Sequence, residues 1–134
     1  MSFLIRVIRD FLMNKFIRGF GYAFKGVGYA AKTQLNFRVH LVCGAIAVLL
    51  GYALHISTAE WLWISLCIGM VLLTELINTA IELLVDLVSP EYNEKAGRVK
   101  DMCAAAVLVT AITALVIGLV IFVPKIILYF HHAA

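Results

Sequence analysis

The residues best suited to chemistry lie together in one apolar stretch, 61–88. This stretch carries four polar residues at intervals of three or four positions: Glu75, Asn78, Glu82 and Asp86. At about 100° per residue, an α-helix would place all four within an arc of about 80°. The face that they share is therefore the first candidate for a functional site.

The depth of Glu75 in a membrane makes this face unusual. At a helical rise of about 1.5 Å per residue, Glu75 lies about 21 Å from Trp61 and inside a hydrocarbon layer about 30 Å thick. A charged residue there costs at least about 2.5–3.5 kcal/mol on insertion scales. The apolar stretches contain no Lys or Arg at that depth, and His40 is interpreted as a boundary residue. We therefore expect no basic partner for Glu75 and favour a functional reason for the acids.

The gradient of depth along this face indicates two chemical roles. Glu82 and Asp86, nearer to water, suit Mg²⁺, which takes one or two carboxylates together with substrate phosphates. Glu75, deeper and away from water, suits a general base for a hydroxyl held in the bilayer. Lys100 and Asp101 are expected to open the next helix at the same membrane face, where a cation and helix N–H groups can hold a phosphate. Together these groups predict phosphoryl transfer from a soluble nucleotide to a membrane-embedded alcohol.

Composition indicates how these residues are positioned. The chain has 134 residues, of which 63% are hydrophobic and 14% are charged. In a typical soluble domain about 45–50% of the residues are apolar and about 25% are charged. This excludes an ordinary soluble domain, a disordered chain and a nucleic-acid-binding module. We therefore predict that residues 1–134 form a single all-α membrane domain, because three segments are too few to close a β-barrel and only helices can otherwise span a membrane. We predict a surface helix region over 1–35 and transmembrane helices over 36–56, 61–88 and 99–123.

Local signals predict where the helices begin and end. Ser57, with Glu60 three residues later, forms a capping-box pattern at the start of the second span. Pro90 is expected to end that helix, and the charged run before Gly97 is expected to form a loop.

Basic residues predict the orientation of the chain. Residues 1–38 hold seven of the eleven Lys and Arg, and the 89–102 segment holds three more. The positive-inside rule places the N-terminus and the candidate site in the cytoplasm, with the C-terminus outside.

Two motifs in the chain resemble the signatures of a known family. The run Glu75-Leu76-Ile77-Asn78-Thr79-Ala80-Ile81-Glu82, with Asp86 four residues on, resembles the pattern E-x-x-N-[ST]-A-I-E-x-x-x-D. The run Gly97-Arg98-Val99-Lys100-Asp101 resembles the pattern G-R-x-K-D, and small residues follow it. Both signatures are typical of the small prokaryotic diacylglycerol kinases and undecaprenol kinases, and the resemblance covers the chain from about residue 16 to residue 126.

The resemblance implies a homotrimer in the bacterial cytoplasmic membrane, with three transmembrane helices and an N-terminal surface helix in each subunit. It implies transfer of the γ-phosphoryl group of ATP to a lipid alcohol, with Mg²⁺ as cofactor. It also implies Glu75 as catalytic base and Glu82 as metal ligand. The nucleotide-binding positions that it implies are Lys15, Tyr22, Lys25, Asn78, Glu82, Asp86, Glu91, Tyr92, Asn93, Lys100 and Asp101.

One position departs from the family pattern. Many members carry a metal-binding glutamate three residues before the aromatic that is Phe37 here, and this chain has Gln34. Gln34 either still binds the metal through its amide oxygen or leaves that position weakened.

The sequence leaves open whether diacylglycerol or undecaprenol is the acceptor. It also leaves two alternatives to a kinase: a proton- or ion-path subunit that uses the intramembrane acids, and a non-catalytic membrane oligomer.

Overall fold

The structure, a computed structural model, describes residues 2–133, with side chains for residues 13–131. In that part of the chain every regular element is an α-helix: α1 (Ser2–Thr33), α2 (Leu35–Ala53), α3 (Thr58–Val88) and α4 (Glu94–Ala133). The all-α class is therefore confirmed. The side chains of Arg6 and Arg9, which contribute to the predicted orientation, lie outside the described residues.

Three of the helices are long and apolar enough to cross a membrane: Leu35–Ala53, Thr58–Val88 and Glu94–His131. The predicted three-span architecture is thus confirmed, with an additional N-terminal helix. The chain divides into two compact units, residues 1–33 and residues 34–134. The first unit contains α1, and the second contains the three candidate spans.

The connection between α2 and α3 is a tight reversal. His55 adopts a left-handed backbone with φ of 48°, a region that only a few per cent of non-glycine residues occupy. The predicted capping box then begins α3, because Glu60 N–H donates to Ser57 Oγ at 3.3 Å and Ser57 N–H donates to Glu60 Oε2 at 2.6 Å. These bonds satisfy amide groups that have no partner inside the helix.

The connection between α3 and α4 is shorter than the sequence predicts. α3 ends at Val88, before Pro90, as expected. α4 then begins at Glu94, so residues 94–98 are helical rather than part of a loop. Asn93 explains the early start, because its Oδ1 accepts hydrogen bonds from the Lys95 and Ala96 N–H groups at 2.9 and 3.2 Å. An N-cap of this kind stabilises a helix by about 1 kcal/mol.

Helices α3 and α4 pack antiparallel along their whole common length. Glu60 pairs with Lys125 at 3.1 Å near the start of α3, and Asp86 pairs with Lys100 at its end. Between them, the hydroxyl oxygens of Thr74 and Thr110 lie 2.9 Å apart.

Helix α2 lies against α3, also in the antiparallel direction. Gly51 approaches Trp61, and Gly44, two turns earlier, approaches Ile68. A small apolar core of Ile56, Ile64, Ile121 and Phe122 closes the end near the α2–α3 connection. This packing leaves the polar face of α3 at the opposite end of the unit.

Candidate active site

The polar residues of α3 share a face and differ in burial. Glu75 and Asn78 are buried, with 2% and 9% of their surfaces exposed, whereas the Asp86 side chain is 64% exposed. Glu82 lies between them, half-buried, and its Oε1 accepts a hydrogen bond from Asn78 Nδ2 at 2.9 Å. The predicted polar face is therefore present, and it runs from the interior of the helix packing to its open end.

The Glu75 side chain is buried but incompletely hydrogen-bonded. Thr79 Oγ1 donates to the Glu75 carbonyl oxygen at 2.9 Å, which satisfies the hydroxyl within the helix. The Glu75 Oε1 atom is fully buried and has no hydrogen-bond partner among the described residues, and the same holds for Asn78 Oδ1. Buried polar atoms without partners are uncommon in native structures, so each of these two requires a partner or a role that the packing of this chain does not supply.

The expectation that Glu75 has no basic partner is wrong. His40 on α2 places its Nε2 3.3 Å from Glu75 Oε1, although the pair lacks hydrogen-bond geometry. His40 lies in α2 rather than at a free boundary, and the antiparallel packing of α2 and α3 brings it level with Glu75. One signal in the sequence could have revealed this neighbour. His40 and Glu75 lie at similar distances along the chain before and after the α2–α3 connection, and the two distances differ by about one helical turn.

Asp86 and Lys100 form an ion pair at the exposed end of the polar face of α3. Lys100 Nζ donates to Asp86 Oδ1 at 2.5 Å and joins α4 to α3. The sequence predicts Lys100 at the start of α4. In the structure Lys100 lies inside the helix, because α4 begins at Glu94. The first-turn amides of Lys95 and Ala96 already donate to Asn93. The cation, rather than these two amides, is thus the available group for a phosphate.

Four further predicted residues of the second unit lie close in sequence to this end. Tyr92 is 95% exposed, and Glu91, Asn93 and Asp101 are exposed as well. Their sequence positions place them in the α3–α4 connection and in the early part of α4, next to Lys100 in the chain.

Other predicted residues lie on α1 or at the start of α2. Lys15, Tyr22 and Lys25 belong to the first unit, where the Lys25 ammonium lies 5.8 Å from the centre of the Tyr22 ring. Gln34 is the N-cap residue of α2, but its side chain caps no backbone N–H group. Among the residues described, no group of three or more His, Cys, Asp or Glu side chains is placed to hold a metal ion.

A cavity of about 490 Å³ lies between α2, α3 and α4. Its walls are apolar or small side chains, and His40 lines one end. Since His40 is also the neighbour of Glu75, the cavity and the candidate site share this residue.

Comparison with known proteins places the chain in a family. The prokaryotic diacylglycerol kinase family matches residues 21–122. Undecaprenol kinase of Bacillus subtilis is 38% identical over 113 residues, which is 84% of this chain and 92% of that protein. Diacylglycerol kinase of Synechocystis is 40% identical over 78% of this chain and 61% of its own length. Diacylglycerol kinase of Escherichia coli K12 is 33% identical over 77% of this chain and 84% of its own length.

The family match covers all three candidate spans up to residue 122 and includes the whole polar face of α3. With relatives of this identity and coverage, the chain belongs to the prokaryotic diacylglycerol kinase family.

Proposed function

We propose that this protein is an ATP-dependent lipid kinase of the bacterial membrane. It transfers the γ-phosphoryl group of Mg-ATP to the hydroxyl of a lipid alcohol, either diacylglycerol or undecaprenol. The observation that carries the proposal is the Glu75 carboxyl, which is buried in a candidate membrane span and has no hydrogen bond to Oε1 within the described residues. A soluble kinase would not need a carboxylate at this depth, whereas a kinase with a lipid acceptor does.

Glu75 serves as the general base in this proposal. Its carboxylate accepts the proton of the lipid hydroxyl, and the hydroxyl oxygen forms a bond to the γ-phosphorus. The bond from that phosphorus to the bridging oxygen breaks, and ADP leaves. Such transfers depend mainly on positioning and charge stabilisation, and both require the reacting groups to be held close in a site of low water content.

Glu82 and Gln34 are proposed to hold Mg²⁺. One or two carboxylates together with substrate phosphates suffice for this ion, so the lack of a three-residue cluster in the described chain does not conflict with it. Both side chains carry the oxygen donors that Mg²⁺ takes. The Asn78 amide hydrogen-bonds the Glu82 carboxylate, and the Gln34 side chain caps no backbone N–H group. When bound, Mg²⁺ neutralises charge on the phosphates.

The nucleotide is proposed to bind at the exposed end of α3 and α4. Lys100 supplies a cation for the phosphates, and Asp86 orients it. The remaining proposed nucleotide contacts are Lys15, Tyr22, Lys25, Asn78, Glu82, Glu91, Tyr92, Asn93 and Asp101.

The apolar cavity beside His40 suits the hydrocarbon part of the acceptor. It extends along α4 to Ile126, away from the polar face. A lipid whose chain occupies the cavity would therefore present its hydroxyl at the Glu75 end. We further propose a homotrimer in the cytoplasmic membrane, with the N-terminus and the site facing the cytoplasm and the C-terminus outside.

The test is a phosphoryl-transfer assay on purified protein in mixed micelles. Labelled ATP and Mg²⁺ are supplied with diacylglycerol and undecaprenol in parallel. We expect label in at least one lipid and none with Glu75→Gln. Glu94→Gln is the matched control, because Glu94 is exposed and pairs with Arg98 outside the polar face. Transfer by Glu75→Gln at the normal rate would remove Glu75 as the base, and label in neither lipid would refute the proposed activity.

A further inference from the structure

The contact between His40 and Glu75 is not explained by the roles assigned so far. Glu75 lies on α3 and His40 on α2, and their atoms Oε1 and Nε2 are 3.3 Å apart. Oε1 is fully buried and lacks a hydrogen bond within the described residues. A buried acceptor without a hydrogen bond is destabilising, so a donor brought into bonding geometry beside it would favour one orientation of the carboxyl.

The packing of α2 on α3 keeps His40 in place. Gly44, one turn after His40, lies so close to α3 that an added Cβ would meet Ile68 Cγ2 at 3.3 Å. This close approach brings the α2 backbone towards α3 and leaves the imidazole between the cavity and Glu75. The His40 side chain is 23% exposed and that of Glu75 is 2% exposed, so the imidazole is also the more accessible member of the pair.

We propose that His40 is a positioning residue for Glu75. This inference rests on the proposed role of Glu75 as the base. His40 Nε2–H donates to Glu75 Oε1 when the acceptor lipid is bound, and this bond directs the carboxyl towards the hydroxyl. An imidazole offers an N–H donor, and the 3.3 Å between the two atoms is within donor–acceptor reach. Hydrogen bonds in catalytic sites are often long or misaligned without substrate and tighten in the complex.

Three variants of His40 test this role. In His40→Gln the amide nitrogen reaches about as far as Nε2 and can donate the same bond. In His40→Asn the amide is equally polar but too short, and in His40→Leu the donor is absent. We expect kcat to fall about 10- to 100-fold in the Asn and Leu variants, as for loss of a hydrogen bond to a charged group. The KM values for ATP and lipid should stay within about twofold, because the bond matters most in the transition state.

The comparison of Gln with Asn carries the test even if the Leu variant folds poorly. We expect His40→Gln to recover most of the wild-type kcat, while circular dichroism and size-exclusion chromatography show the same fold for Gln and Asn. Equal kcat in the two amide variants, whether high or low, would overturn the proposal. His131→Leu, at the exposed end of α4, is the matched control and should keep the wild-type kcat.

Glu75→Gln, measured in the same assay, separates this inference from the proposed function. If Glu75→Gln is inactive and His40→Asn is as active as the wild type, the positioning role fails while the base remains. If Glu75→Gln is fully active, the base assignment fails and the positioning role fails with it.

Discussion

The ion pair between Lys100 and Asp86 allows the nucleotide site to be tested with a defined magnitude. We consider Lys100→Met, Asp86→Asn and the double variant. If the two side chains only join α4 to α3, each single variant should lose the same interaction. If Lys100 also binds a phosphate, Lys100→Met should lose more than its partner variant does.

The cost to stability follows from the exposure of the pair. The side chains of Lys100 and Asp86 are 37% and 64% exposed, so solvent screens their attraction. Exposed pairs of this kind contribute about 0.2–1 kcal/mol. We therefore expect either variant to lower the free energy of unfolding by less than about 1 kcal/mol, and the double variant to lose no more than the larger single loss.

The cost to catalysis is expected to be larger. A hydrogen bond from a charged donor to a phosphate is worth about 1.5–3 kcal/mol, which corresponds to about a 10- to 150-fold change. In Lys100→Met, kcat/KM for ATP should fall by that factor. Asp86→Asn should cost less, because it leaves the cation in place. In the Lys100→Met background, the Asp86 substitution should have almost no further effect.

The assay is ATP-dependent lipid phosphorylation in mixed micelles, with ATP varied at saturating lipid, alongside thermal unfolding in the same detergent. Lys125→Met is the matched control, since Lys125 pairs with Glu60 at the other end of the same two helices. It should lower stability by a similar amount and leave the KM for ATP unchanged. A kcat/KM for ATP within twofold of the wild type in Lys100→Met, or equal effects of Lys100→Met and Lys125→Met on kcat/KM, would refute the reasoning.

Three further predictions concern packing, capping and the metal. Gly51→Ala should lower the free energy of unfolding by about 1–3 kcal/mol, because the added Cβ would lie 2.7 Å from Trp61 Cη2. Gly44→Ala should lower it less, because its nearest contact is at 3.3 Å. If both variants unfold at the wild-type temperature, this prediction is wrong. Ser57→Ala should cost about 1 kcal/mol through loss of the α3 cap, measured by the same unfolding; no change would rule out a stabilising cap. Gln34→Glu should lower the Mg²⁺ concentration for half-maximal activity about tenfold, since a carboxylate adds ligand charge; an unchanged Mg²⁺ titration would exclude Gln34 as a ligand.

Features encoded in nearby residues could be predicted from the sequence. The capping box at Ser57 depends on two side chains three positions apart, and the structure has both of its hydrogen bonds. The polar face of α3 follows from helical periodicity alone, and it is present with the expected gradient of burial. The start of α4 could not be predicted as well, because the N-cap at Asn93 competes with the loop tendency of Gly97.

The contact of His40 with Glu75 could not be predicted from periodicity, because it joins two helices. Its position depends on the offset with which α2 packs on α3, and close approaches at Gly44 and Gly51 determine that offset. A glycine pattern indicates that helices can approach closely but does not identify which residues then face each other. The proposed nucleotide contacts on α1 stay predictions, because α1 forms a unit of its own.

The burial gradient along α3 connects these observations to one chemical requirement. A kinase with a lipid acceptor must handle a polyphosphate in water and a hydroxyl in hydrocarbon, and one helix that crosses the boundary can serve both. The side chain of Asp86 is 64% exposed, whereas the surface of Glu75 is only 2% exposed. Glu82, hydrogen-bonded to Asn78, lies between them. A buried carboxylate is costly without a partner, and His40, with its Nε2 3.3 Å from Glu75 Oε1, is the residue that we propose to orient it.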